Sequence, residues 1–248
     1  MEYAEQNIKL TVTYDGTNYF GWQTQTGFTT IQEVLETVLE RMYAKRIVLR
    51  YSSRTDSGVH ALDQTASFVG TDRFAPSQLQ IAINSQLPPD IVIKNVEFVD
   101  SKFDARRPLK KTYLYQIYNS STRSPFLLNR AWWVKFPLDL KKLERALNFF
   151  EGTKDFTSFM ASDCQIKTTV RTIESAKLDV SDNMISIRLT ANGFLKQMVR
   201  NIVGTCVDIS RGKCEVEDLP RIINARDRTQ AGKTAPAYAL YLEKVYYE

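Results

Sequence analysis

R-I-V-L-R-Y-S-S-R-T-D-S-G-V-H-A-L-D-Q-T-A-S-F-V, residues 46–69, sets two apolar runs around a small polar connection. The runs 46–51 and 61–69 are rich in β-branched and aromatic residues and are bounded by small ones, so each is expected as a strand. Between them, Asp56 and Gly58 are residue types that reverse a chain, Asp by bonding its own backbone and Gly by accepting a positive φ. Working outward, I-K-L-T-V-T-Y (8–14) alternates apolar and polar residues and reads as a strand with one buried face. T-I-Q-E (30–33) fits a capping box, and Ile31, Val34, Leu35, Val38, Leu39 and Met42 follow at helical spacing. On the other side, a helix is expected after Pro76 with Leu79, Ala82 and Ile83 on one face. The Pro88-Pro89 break then leads into a strand over 91–99. The order is β-α-β-β-α-β.

The second half repeats the theme with insertions. Strands are expected at 112–119 and 131–136, and a helix at 139–150 carrying Leu140, Leu143, Leu147 and Phe150. Two more strands follow at about 170–180 and 184–191, then a helix at about 194–209, a short one near 215–224 and a last strand at about 238–246. This pattern implies an α+β protein of two ferredoxin-like (RRM-like) domains, 1–105 and 106–248, with antiparallel or mixed sheets forming a central cleft. Helices on one sheet face leave the other available, a plausible platform for RNA.

Composition narrows the function classes. With 248 residues and 43% apolar content the chain can fill a real core. The first ten residues have neither a basic nor an apolar signal region, and no run approaches the roughly 20 apolar residues of a membrane helix, so a cytoplasmic protein is expected. Cys164, Cys206 and Cys214 form no C-x-x-C pair and there is a single histidine, which argues against disulfides and against zinc. The net charge of +5 is modest, but its distribution is one-sided. Lys102, Arg106, Arg107, Lys110 and Lys111 face one counter-charge, Asp104, while Arg41, Lys45, Arg46, Arg50 and Arg54 approach the central turn. Such clusters suit a phosphate backbone and equally a solvated basic face.

The central turn admits two readings. S-S-R-T-D-S-G can be a local Asp/Gly reversal, with His60 an ordinary strand histidine, or it can be an active site. No second carboxylate, cysteine or serine arrangement nearby supports a paired-carboxylate or triad scheme. Local residues alone leave both readings open.

The longer pattern decides more. S-R-T-D-S-G-V-H-A (53–61) resembles the R-T-D-x-G-V-H-A signature of the TruA family of tRNA pseudouridine synthases. Y-D-G-T-N-Y-F-G-W-Q (14–23) is similar to that family's opening, and F-D-A-R (103–106) leading to K-K-T-Y-L-Y (110–115) to its inter-domain segment. D-F-T-S-F (155–159), M-V-R-N-I-V-G (198–204) and D-R-T-Q-A-G-K-T-A-P-A-Y-A-L-Y-L (227–242) complete an ordered set covering nearly the whole chain. The resemblance implies isomerisation of uridine to pseudouridine in the anticodon stem-loop of tRNA, at positions 38 to 40, without cofactor or metal, by a homodimer. It makes Asp56 the nucleophile, Arg200 its partner and Tyr113 the residue stacking on the target base. Arg54 stands near the flipped nucleotide, with His60, Arg106, Lys110 and Lys111 as further RNA-binding candidates. Rival readings are a pseudouridine synthase of another RNA, such as ribosomal RNA, and a non-catalytic RNA-binding module. Ser53, Ser57, Ala239 and Lys167 depart from common family residues, changes that bear on packing and RNA contacts rather than on reaction type.

Overall fold

The structure is a computed structural model that describes residues 3–164 and 166–248. It is an α+β protein whose chain forms two compact units, Met1–Leu109 with Leu242–Glu248, and Lys110–Tyr241. Among the described residues no helix is long and apolar enough to cross a membrane.

In the first unit, β1 (Glu5–Tyr14), α1 (Ile31–Tyr43), β2 (Arg50–Tyr51), β3 (His60–Thr71), α2 (Pro76–Asn84) and β4 (Ile91–Val99) follow the expected order. β1 lies between β3 and β4, antiparallel to both, and β2 pairs antiparallel with β3. The alternation read in the sequence is realised: Ile8, Leu10 and Val12 are fully buried. α1 starts where the capping pattern places it, Thr30 Oγ1 accepting the Glu33 amide at 3.4 Å, and it buries Ile31, Leu35, Val38 and Leu39. α1 ends at Ala44 in the left-handed region.

The run 46–51 differs from the expected strand, since only Arg50–Tyr51 joins the sheet. The Leu49 amide donates instead to Glu36 Oε1 at 2.9 Å and the Ile47 amide to Glu40 Oε1 at 3.3 Å. Carboxylates of α1 thus take the donors that a strand ladder would use, and the segment is pinned to the helix with Ile47 and Leu49 buried.

The second unit contains β5 (Lys110–Asn119), β6 (Trp132–Val134), α3 (Leu140–Phe149), β7 (Gly152–Asp155), β8 (Val170–Ser181), β9 (Met184–Ala191), α4 (Met198–Ser210) and α5 (Leu219–Ala225). The sheet runs β5-β9-β8-β7, all antiparallel, with β6 parallel to β5, so it is mixed. Asp139 caps α3, its carboxylate accepting from the Lys142 amide at 3.0 Å. α4 begins at Met198 rather than 194 because Gln197 holds a left-handed conformation (φ 61°), which a helix cannot run through. The polar strand β7 has no apolar alternation to announce it.

The last strand, β10 (Leu240–Tyr246), corrects the expected 106–248 domain. From Leu242 onward it belongs to the first unit, where it lies beside β3. Leu242 and Val245 are buried there, and the Leu109 amide donates to Tyr246 O at 2.8 Å. The Tyr247 ring packs 5.0 Å from Phe103, and its hydroxyl donates to Ala105 O at 2.7 Å.

Candidate active site

Asp56 sits half-buried on the turn between β2 and β3, and the surrounding bonds fix that turn residue by residue. On its entry side, Gln64 of β3 is fully buried and clamps two serines. Its Nε2 donates to Ser53 O at 2.7 Å, and its Oε1 accepts from Ser52 Oγ at 2.6 Å. At the tip, the hydroxyls of Thr55 and Tyr14 are hydrogen-bonded at 2.7 Å in a buried environment, and Thr55 O accepts the Trp22 amide at 3.1 Å. On the exit side, Val59 N donates to Asp56 O at 3.1 Å, closing the turn, and Gly58 takes φ 77°. Ser57, where the TruA pattern often has alanine, donates its hydroxyl to Tyr19 O at 3.2 Å.

The segment 14–22 is therefore the bed on which the Asp56 turn rests, and its glycines explain how close the two chains come. An added Cβ at Gly21 would lie 2.5 Å from Thr55 O and 3.1 Å from the Asp56 carbonyl carbon; at Gly16 it would lie 2.0 Å from Val59 O. The bed is itself anchored: Tyr19 donates its hydroxyl to Asp90 Oδ1 at 2.6 Å, and the Asp15 amide donates to Asp90 O at 2.9 Å. Burial, then the bond to Asp90 and the Asp90 and Asp15 charges, push the Tyr19 hydroxyl far above the usual range, so it remains a donor.

His60 is 2% exposed. Its Nδ1 lies 3.1 Å from the Gly16 amide and 3.0 Å from Asp15 Oδ1. The two neighbours require opposite protonation of Nδ1. The backbone N–H is a donor, so toward Gly16 the Nδ1 atom acts as the acceptor. Buried in this way, His60 holds the bed in place.

Arg54 is exposed, two residues before Asp56. Arg106, also exposed, is engaged by Asp104 through Nε at 3.0 Å and NH2 at 2.7 Å. That hydrogen-bonded guanidinium holds the Asp104 carboxyl down to about 2.

The other candidates belong to the second unit. Tyr113, on β5, is 7% exposed with its ring edge-on to Phe194, centroids 5.1 Å apart. Lys110 pairs with Glu174 at 2.7 Å. Lys111 is pushed down to about 8, first by burial and then by the Arg171 charge.

Arg200 lies in the first turn of α4, half-buried among Met198, Val199, Ile202 and Val203, and its Nε donates to Ala235 O at 2.7 Å. The Ala235 amide returns a bond to Arg200 O at 3.1 Å. With Nε committed, the plane of the guanidinium is set.

Three sequence blocks that looked separate converge beneath Arg200. Asn201 is fully buried; its Nδ2 donates to Phe159 O at 2.8 Å, and its Oδ1 accepts from Arg228 NH2 at 2.9 Å and Thr234 Oγ1 at 2.7 Å. D-F-T-S-F, M-V-R-N-I-V-G and the D-R-T-Q-A-G-K-T segment thus form one cluster around an amide that uses both its donor and its acceptor ends. Gly204 completes it, since an added Cβ would fall 1.7 Å from Lys233 O. Sequence reasoning misses Asn201, Gln64, Thr55 and Tyr14 as site residues. The blocks containing three of them are visible in the sequence, but which side chain points inward is not.

Known proteins bear on what these residues do. The family model described as tRNA pseudouridine synthase matches residues 10–107 and 146–248. The chain is similar to proteins called tRNA pseudouridine synthase A from three bacteria. The one from Acetivibrio thermocellus is 42% identical over 243 residues, 98% of this chain and 100% of the relative. Those from Caldicellulosiruptor bescii and Ruminiclostridium cellulolyticum are 43% and 44% identical, each over 98% of this chain and 100% of the relative. With the family model spanning both the Asp56 turn and the Arg200 cluster, and relatives this similar from end to end, the chain belongs to the tRNA pseudouridine synthase family.

Proposed function

We propose that this protein isomerises uridine to pseudouridine in tRNA, and that the uridines lie in the anticodon stem-loop. Asp56 is the nucleophile, Arg200 offsets and directs its charge, and Tyr113 stacks on the target base. The N1–C1′ bond of uridine breaks, the freed base turns, a C5–C1′ bond forms, and the C5 proton leaves to solvent while N1 gains one. Atoms balance without a redox partner. Extruding the nucleotide costs a few kcal/mol, which an aromatic platform and Arg54 help offset. The strand order β4-β1-β3-β2 of the first unit supports reading it as ferredoxin-like. A homodimer in the cytoplasm, gripping one tRNA with both subunits, is the working form.

The observation that carries this reading is the Asp56 turn itself. A surface reversal needs no buried Tyr14–Thr55 bond, no fully buried Gln64 clamp and no backbone approach that only Gly21 permits. Such support is what holding one carboxylate in a set direction requires.

The test uses tRNA and ribosomal RNA tritiated at uridine C5, with wild type and Asp56→Ala. Tritium release from tRNA by wild type alone, with tRNA binding retained by Asp56→Ala, is the expected result. Equal release from both proteins removes Asp56 from the chemistry. Release from ribosomal RNA only reassigns the substrate, and binding without any release by wild type makes the protein a binding module.

A further inference from the structure

A groove of about 770 Å³ opens on the first unit, and its charge is one-sided. Lys45, Arg46, Arg50, Arg54 and Arg106 line it, and no carboxylate does. Arg106 is engaged by Asp104. Among the described residues, none of Lys45, Arg46, Arg50 and Arg54 has an ion-pair partner, and all four are exposed. Elsewhere several surface cations are paired with carboxylates, as in Lys142–Glu215, Arg145–Glu217, Arg188–Asp179 and Lys196–Asp163. Asp104, which pairs with Arg106 and also feels the Arg50 charge, is one carboxylate against these cations, so their mutual repulsion is a cost that a polyanion in the groove would reverse.

The segment that carries them is built to present them. Because Glu36 and Glu40 hold the Leu49 and Ile47 amides, Ile47 and Leu49 turn inward while Arg46, Val48 and Arg50 turn outward. The same feature that keeps 46–49 out of the sheet therefore fixes a basic rail. At its far end stands Arg54, two residues from Asp56.

We propose that this groove is a track for the sugar-phosphate backbone of the substrate RNA beyond the target nucleotide, bound through phosphates and without regard to base sequence. The inference rests on the reading of the protein as an RNA-modifying enzyme. Arg54 takes the phosphate nearest the reacting uridine, and Arg50, Arg46 and Lys45 take those further along. Exposed Val48 (62%) and Val69 (40%) give the groove an apolar surface for ribose.

The experiment measures tRNA affinity over a range of salt concentrations, and product formation at saturating tRNA. It compares wild type with the triple variant Lys45→Gln, Arg46→Gln, Arg50→Gln. A control with Lys94, Lys141 and Lys177 changed to Gln, all exposed and outside the groove, carries the same net charge. Each phosphate that is no longer neutralised takes about 0.7 to 0.9 off the slope of log affinity against log salt. The groove variant is expected to be shallower than wild type by about 2 to 3, with weakened binding and a saturating rate within about twofold. Arg46→Glu alone, a single exposed change, should weaken binding more than Arg46→Gln. A groove variant whose slope matches the control overturns the track, even if wild type is an active enzyme. A groove variant shallower than a wild type that itself forms no pseudouridine keeps the track and removes the proposed reaction.

Discussion

Replacing Gly21 with alanine isolates how the bed beneath Asp56 positions the carboxylate. Gly21 has φ 86°, where an L side chain costs about 1–2 kcal/mol. The added Cβ would also stand 2.5 Å from Thr55 O, 3.1 Å from the Asp56 carbonyl carbon and 3.2 Å from the Ser57 amide. These are backbone atoms, so relief requires moving the turn. Restoring a 3.0–3.4 Å separation from Thr55 O means a shift of about 0.5–0.9 Å from the present 2.5 Å. Misplacing a reacting group by about 1 Å can cost about 10²-fold in rate. Gly27→Ala supplies the control: φ is 82°, nearly the same, yet nothing lies within 4 Å of the added Cβ. Both variants should lose about 1–2 kcal/mol in urea unfolding through φ, with Gly21→Ala losing more. Only Gly21→Ala should lose about 10- to 100-fold in single-turnover pseudouridine formation. Equal rates in the two variants, or a wild-type rate in Gly21→Ala, would refute the claim that the bed sets the position of Asp56.

Two further outcomes follow from the second unit. Gly204→Ala should destabilise by several kcal/mol although alanine is the better helix former by about 1 kcal/mol, because its Cβ meets Lys233 O at 1.7 Å; a rise in thermal midpoint would contradict the close approach. Lys111 releases its proton at about 8 in the folded protein but at 10.5 when unfolded, so between those values the unfolded chain binds the extra proton. Its contribution to stability therefore improves as pH rises from about 8 to 10.5, and the burial penalty is present in full below 8. Lys111→Met should flatten the rise in urea midpoint between about pH 8 and 10.5; parallel midpoint curves for the two proteins would count against it.

Much of the fold is legible in the sequence because burial follows period. Ile8, Leu10 and Val12 announce β1, and Thr30 with the Ile31, Leu35, Leu39 spacing announces α1. The failures share a cause: the backbone finds partners that no local pattern reveals. Ile47 and Leu49 have strand composition, but carboxylates from another element take their amides. Phe194 and Leu195 extend an apolar run toward α4, yet Gln197 in a left-handed conformation stops the helix short of them. Leu242–Tyr246 completes the first unit from the far end of the chain, a return that sequence distance hides.

At the site, Asp56 and Arg200 stand out only through family motifs. The supports are less visible still, since Gln64 and Asn201 are polar residues whose burial depends on partners about 10 to 40 positions away. His60 shows the converse, a titratable residue beside the motif whose burial gives it a structural task.

The most direct measurement is the single-turnover rate of pseudouridine formation by Asp56→Asn, alongside its affinity for tRNA. Asparagine keeps the size of the side chain and leaves the backbone Val59–Asp56 bond that closes the turn, while the negative charge is removed. The expected result is a rate lower by at least about 10³-fold with affinity unchanged within a few fold, as for removal of a covalent nucleophile. A variant that retains more than about a tenth of the wild-type rate would contradict it, because a neutral amide cannot replace the attacking carboxylate.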